Sequence, residues 1–141
     1  MTFGLLVLTA VAGGVGSGLR YTVDTLVTGW RLKSSPSGMP MGTMVVNLSA
    51  CLLLGLLTGW AATAAAPTVG AGSAGADVAA AVTVLGVGLL GGYSTFSTAC
   101  VETGRLLLQG KVRLAVTHGL GMVVGCLIAG MIGIAVGGML G

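Results

Sequence analysis

The chain has 141 residues, 55% hydrophobic and 6% charged, with a formal net charge of +3 and a mean hydropathy of +1.06. Soluble domains carry about a quarter charged residues, so a water-soluble core is excluded and a membrane protein is predicted. Three acids and one histidine assemble neither a hydrolytic triad nor paired catalytic carboxylates, so no enzyme is expected. No nucleic-acid partner is expected either. Four hydrophobic spans leave too little chain for a separate soluble unit, which predicts one domain over residues 1–141.

The first span is predicted over residues 3–19. Its tail, Gly13-Gly14-Val15-Gly16-Ser17-Gly18, forms a small-residue face suited to close helix packing. No strand precedes this run and no Lys-Ser/Thr follows it, so a phosphate-binding loop is not predicted. The N-terminus lacks the basic leader of a cleaved signal peptide. Arg20, Tyr21 and Asp24 follow at the expected membrane edge, where arginine and tyrosine commonly act as interfacial anchors. Loop one then runs through Arg31, Lys33 and a turn-rich segment, residues 34–40.

The second span, about residues 41–60, contains one strongly polar residue, Asn47. Its amide can hydrogen-bond across a helix interface or turn its NH2 toward an anion path. Loop two, residues 61–77, contains no lysine or arginine.

The third span, residues 78–108, is long enough to cross a membrane, yet its centre reads Gly91-Gly92-Tyr93-Ser94-Thr95-Phe96-Ser97-Thr98. Paired glycines weaken a helix, and hydroxyl side chains offer the backbone other hydrogen bonds. Such a break is tolerated at bilayer depth only where protein or a polar cavity surrounds it. A broken helix is therefore predicted, with halves over residues 78–90 and 96–108, each about 20 Å long. Broken membrane helices present carbonyls and helix ends to ions. Glu102, in the second half, can pair with Arg105 at i,i+3 or serve as an intramembrane proton-coupling carboxylate.

Loop three carries Lys111 and Arg113, and the fourth span, residues 114–140, is almost wholly aliphatic apart from His118. A lone histidine with no ligand-type residue at suitable spacing is a poor metal candidate. Cys51, Cys100 and Cys126 all fall in spans without CxxC spacing and are expected to be packing residues. The polar residues converge at mid-membrane depth. That favours a pore or carrier over a structural membrane subunit.

The motifs Gly13–Tyr21, Gly42–Leu48 and Gly91–Thr98 followed by Glu102, in this order and spacing, resemble the CrcB/Fluc fluoride-channel family. The resemblance implies an all-α membrane protein of four transmembrane helices, the third broken at its centre, assembled as an antiparallel dimer. It implies passive fluoride export across the cell membrane and a structural sodium ion held by the backbone carbonyls of Gly92 and Thr95. Phe96 matches a pore-lining phenylalanine, Ser97 and Thr98 a polar track beside it, Asn47 the pore amide, and Arg20 a basic residue at the entrance. The sequence departs from the family pattern at three places. The second pore phenylalanine falls on Ala99, the fourth-helix tyrosine on His118 and a nearby serine on Met122.

All six basic residues, Arg20, Arg31, Lys33, Arg105, Lys111 and Arg113, lie in or beside loops one and three. The positive-inside rule then places these loops in the cytoplasm and both termini outside. So one-sided a bias, together with the departures at the pore positions, predicts one half of a heterodimer; a homodimer formed by partial inverted insertion is the other possibility. The expected partners are fluoride, membrane lipid and a second family subunit, identical or homologous. A structural or regulatory subunit without its own pore is the alternative function, and a proton-coupled exporter resting on Glu102 ranks third.

Overall fold

The computed structural model describes residues 2–34, 41–64 and 74–140. Four helical spans cross a membrane thickness: Phe3–Trp30, Met41–Ala64, Gly75–Leu108 and Val112–Met139. The first belongs to a continuous helix α1 (Phe3–Ser34) and the second is α2 (Met41–Ala64). The third is composite: α3 (Ala74–Ala81), a π-helical segment (Val82–Leu90), a last turn α4 (Gly91–Tyr93) and, after a break, α5 (Phe96–Leu108). The fourth is α6 (Val112–Met139). The segments at residues 35–40 and 65–73, expected within the first two loops, lie outside the described residues.

Helix α1 does not stop at residue 19 as predicted. The charges at Arg20 and Asp24 interrupt the apolar run, but no residue between 20 and 34 is a proline, so the backbone bonding continues to Ser34. At 32 residues α1 is about 48 Å long and exceeds a ~30 Å hydrocarbon core. Arg20, Tyr21 and Asp24 are consequently helical residues. Tyr21 is exposed, as an anchor would be, and it borders, with Arg20 and Asp24, a chamber between the helices.

Two glycine seams hold the bundle. In the first, α2 runs parallel to α6. A methyl group on Gly55 would overlap the Gly130 carbonyl, one on Gly59 that of Ile134, and ones on Gly133 and Gly137 those of Leu52 and Leu56. In the second, α1 runs parallel to the first half of the third span. Cβ atoms on Gly16 and Gly92 would overlap the Leu89 and Gly13 carbonyls. Lipid tails are as apolar as leucine, so helices in a bilayer associate through such close backbone approach. Bulky side chains such as Leu6, Val11, Leu127 and Ile134 stay on the outer surface.

The break is shorter than the sequence predicted. Gly91 and Gly92 are helical, and the extended backbone is confined to Ser94 (φ −72°, ψ 159°) and Thr95 (φ −151°, ψ 117°). Gly92 is spent on the α1 seam instead of on unwinding. The second half, Phe96–Leu108, has the predicted bounds. It ends in a Schellman turn: Gly110 adopts φ 73°, its N–H donates to Leu107 at 2.9 Å, and the Lys111 N–H reaches back to Leu106 at 2.9 Å.

Gly133→Ala should weaken the α2–α6 seam by about 1–3 kcal/mol, because the added methyl meets rigid backbone. Gly138→Ala, with nothing within 4 Å of its Cβ, should be neutral. Thermal unfolding of the detergent-solubilised protein, followed by size-exclusion fluorescence, measures both.

Candidate ion pathway

At the break, Thr95 has left the helix and is buried, so its N–H and C=O need new partners. Asn47 supplies both. Its Nδ2 donates to the Thr95 carbonyl at 2.8 Å, and its Oδ1 accepts from the Thr95 N–H at 2.7 Å. The Asn47 amide also approaches Met122 Sδ at 3.2 Å. Of the two sequence alternatives for Asn47, the interhelical hydrogen bond is therefore formed, and it fastens α2 to the break. The Thr95 hydroxyl caps the next helix, accepting from the Thr98 N–H at 3.3 Å, and lies 3.0 Å from Thr98 Oγ1.

The helix on the other side of the break is secured as well. The extended backbone at Ser94 and Thr95 takes the Phe96 N–H out of helical register with the Gly92 carbonyl. That oxygen accepts from Ser17 Oγ at 3.3 Å, a contact across the α1 seam. Tyr93 OH and Ser49 Oγ lie 3.0 Å apart, which ties the last turn to α2.

Two cavities adjoin the break, and Thr95 lines both. One is a polar chamber of about 140 Å³ bounded by Arg20, Asp24, Thr43, Thr95 and Thr98. The other, about 580 Å³ and mostly apolar, is bounded by Asn47, Phe96, Ala99, Met122 and Cys126 among others. The structure thus gathers Arg20, Asn47, Thr95 and Thr98 around one level. Phe96, 82% exposed, and Ser97 instead lie on the outer surface of the chain. The three cysteines are free and line the apolar cavity.

Nearer the loop-three end, Glu102 does not take the i,i+3 pairing with Arg105. Thr43 Oγ1 donates to Glu102 Oε1 at 2.9 Å, and Glu102 Oε2 lies 3.5 Å from Nε2 of the fully buried His118. Position explains the outcome: Glu102 turns inward toward α2 and α6, whereas Arg105 is exposed. Thr43 escaped the sequence reading although a signal existed. It stands four residues before Asn47, hence on the same helix face one turn earlier. Ser17, Ser49 and Tyr93 carried no comparable signal.

A single hydroxyl-lined break, clamped across a four-span bundle and flanked by a chamber lined by an arginine, defines a membrane protein with an ion path. A family model described as "CrcB-like protein, Camphor Resistance (CrcB)" matches residues 7–134. The chain is 32% identical over 139 residues to fluoride-specific ion channel FluC 1 of Leifsonia xyli subsp. xyli, covering 99% of this chain and 90% of that protein. It is 38% identical over 136 residues to FluC 1 of Rubrobacter xylanophilus, covering 96% and 92%. To FluC of Novosphingobium aromaticivorans it is 34% identical over 128 residues, covering 91% and 88%. The chain belongs to the CrcB/FluC family.

Asn47→Ala would leave both backbone groups of Thr95 buried and unpaired, which should cost about 3 kcal/mol of stability. Asn47→Asp keeps an acceptor for the Thr95 N–H but turns a second oxygen toward the Thr95 carbonyl and buries an acid, so it should lose at least as much. Thermal unfolding of the two variants against wild type checks the order.

Proposed function

We propose that this chain is a subunit of a fluoride-specific channel that lets fluoride leave the cell passively across the plasma membrane. The observation that carries the proposal is the polar chamber at the break, lined by Thr95, Thr98, Thr43 and Arg20 together with Asp24. Fluoride is small and strongly hydrated, so replacing its water requires hydrogen-bond donors at close quarters. The names of the relatives, each a fluoride-specific ion channel, support the same function. The chain is not an enzyme.

The path needs a second wall. Phe96 offers its ring at the outer surface, and an aromatic edge is electropositive enough to face a desolvated anion. A second family subunit, packed antiparallel, would enclose Phe96, Ser97 and Thr98 and complete the pore. Asn47 would then contribute by holding the break open. The carbonyls of Gly92 and Thr95 each accept one side-chain hydrogen bond and retain a second lone pair. Among the described residues no three metal-ligating side chains converge, so a cation at the break would rest on backbone oxygens, which suit sodium. A sodium ion there would supply a fixed positive charge between the subunits.

The partner is a homologous chain of opposite orientation. With Arg20 lining the chamber, the five remaining basic residues still all lie at the loop-one and loop-three end, which is placed in the cytoplasm with both termini outside. The departures at Ala99, His118 and Met122 favour the same arrangement, and they are also what favours the alternative of a subunit with no pore of its own.

In liposomes loaded with fluoride, the chain with its partner should give electrogenic efflux without a proton gradient, and Phe96→Ile should cut the rate about tenfold or more while leaving assembly intact. Unchanged efflux in Phe96→Ile would remove Phe96 from the path, and no efflux from the assembled pair would leave the poreless subunit. Separately, a reporter fused to the C-terminus should give only the outside signal. Equal signals from both sides would favour the homodimer.

A further inference from the structure

Between the break and the loop-three end sits a polar cluster that the channel reading does not use. His118 is 0% exposed, yet neither ring nitrogen has a hydrogen-bond partner among the described residues, and Glu102 Oε2 facing it is also buried without one. The other carboxylate oxygen is fixed by Thr43 at 2.9 Å. So an acceptor oxygen and an imidazole nitrogen face each other 3.5 Å apart, with nothing bonded between them.

We propose that Glu102 and His118 form a proton-binding site that sets the charge of the ion path, so that fluoride efflux rises as the pH falls. The pair binds one proton from water: an ionised carboxylate and a neutral imidazole carry one negative charge together, and the added proton brings them to zero. Whichever of the two holds it, an N–H or O–H donates across the 3.5 Å gap between Nε2 and Oε2, as a charge-assisted bond when the proton sits on the imidazole, while Nδ1 keeps no partner among the described residues. A negative carboxylate beside the path repels an anion, and the neutral pair does not.

Other charges also act on Glu102. From α1, Asp24 reaches Glu102 electrostatically, and Arg20 shares a chamber with Asp24; from α5 itself, Arg105 acts in the opposite sense to Asp24. From α2, the Thr43 hydroxyl donates to Glu102. His118 is the sole histidine of the chain, and imidazole is the side chain whose ordinary titration falls between about pH 5 and 8.

This inference rests on the conduction proposed above only for its functional readout, so two measurements test it. In the first, the complete channel is reconstituted in fluoride-loaded liposomes and efflux is recorded from about pH 7.5 to about pH 5.5, with protein-free liposomes subtracted. Wild type should speed up roughly tenfold, while His118→Gln and Glu102→Gln should each be flat over the same range. A flat wild type, or a pH response that persists in His118→Gln, overturns the proposal. In the second, nitrogen-15 NMR of the single imidazole follows its titration in wild type and in Glu102→Gln, with no need for flux. Separated curves support a shared proton and superimposable curves overturn it. If efflux is absent at every pH while the NMR curves separate, the conduction proposal fails and the proton site stands.

Discussion

The two hydrogen bonds between Asn47 and Thr95 are the constraint on which the interior of this bundle depends. A helix cannot simply be interrupted at bilayer depth, because the freed N–H and C=O have no water to turn to. A primary amide is one of few side chains that can give and accept at once, so one residue satisfies both groups of an extended neighbour. With Thr95 pinned in that way, its side chain is free to cap α5, and the second half-helix begins with its hydroxyls at a fixed level. The chamber follows from the clamp. It is the space left where a continuous helix would have filled the bundle.

Around this polar centre the packing relies on glycine, not on large apolar side chains. Two seams bring backbones into direct contact, and most of the leucines, valines and isoleucines are turned outward, with Val46, Leu90 and Leu106 among the few that are buried. The buried interior from the break toward the loop-three end also holds four polar residues, Thr43, Asn47, Thr95 and His118. This inversion of the soluble pattern is what allows an ion path to exist beside well-packed helices.

Much of this was legible in the chain because hydropathy and the absence of charge identify spans directly, and because glycine and hydroxyl residues in mid-span mark a break. The same glycines misled about its extent. Sequence cannot distinguish a glycine that loosens a helix from one that lets another helix approach, and Gly92 does the second. Helix α1 was predicted to stop too soon because a charged residue ends an apolar window without ending backbone hydrogen bonding. The π-helical stretch Val82–Leu90 has no local signal, since an i→i+5 register is not a side-chain preference. The partner of Glu102 was ambiguous for a related reason. A neighbour at i,i+3 is visible in sequence, whereas His118 and Thr43 come from two other helices.

The pairing of spans within the seams has a consequence for how the protein is made. Span one closes on span three and span two on span four, so each seam joins segments separated by an intervening crossing. Neither contact can form as a simple hairpin of consecutive spans leaving the insertion machinery. The first two helices must wait in the lipid, each with its glycine face uncovered, until the later half of the chain has been delivered. The amide of Asn47 waits with them, because the residue it clamps is made forty-eight positions later. The seam of spans one and three and the clamp can close once span three is in place, and the seam of spans two and four only after the last span arrives.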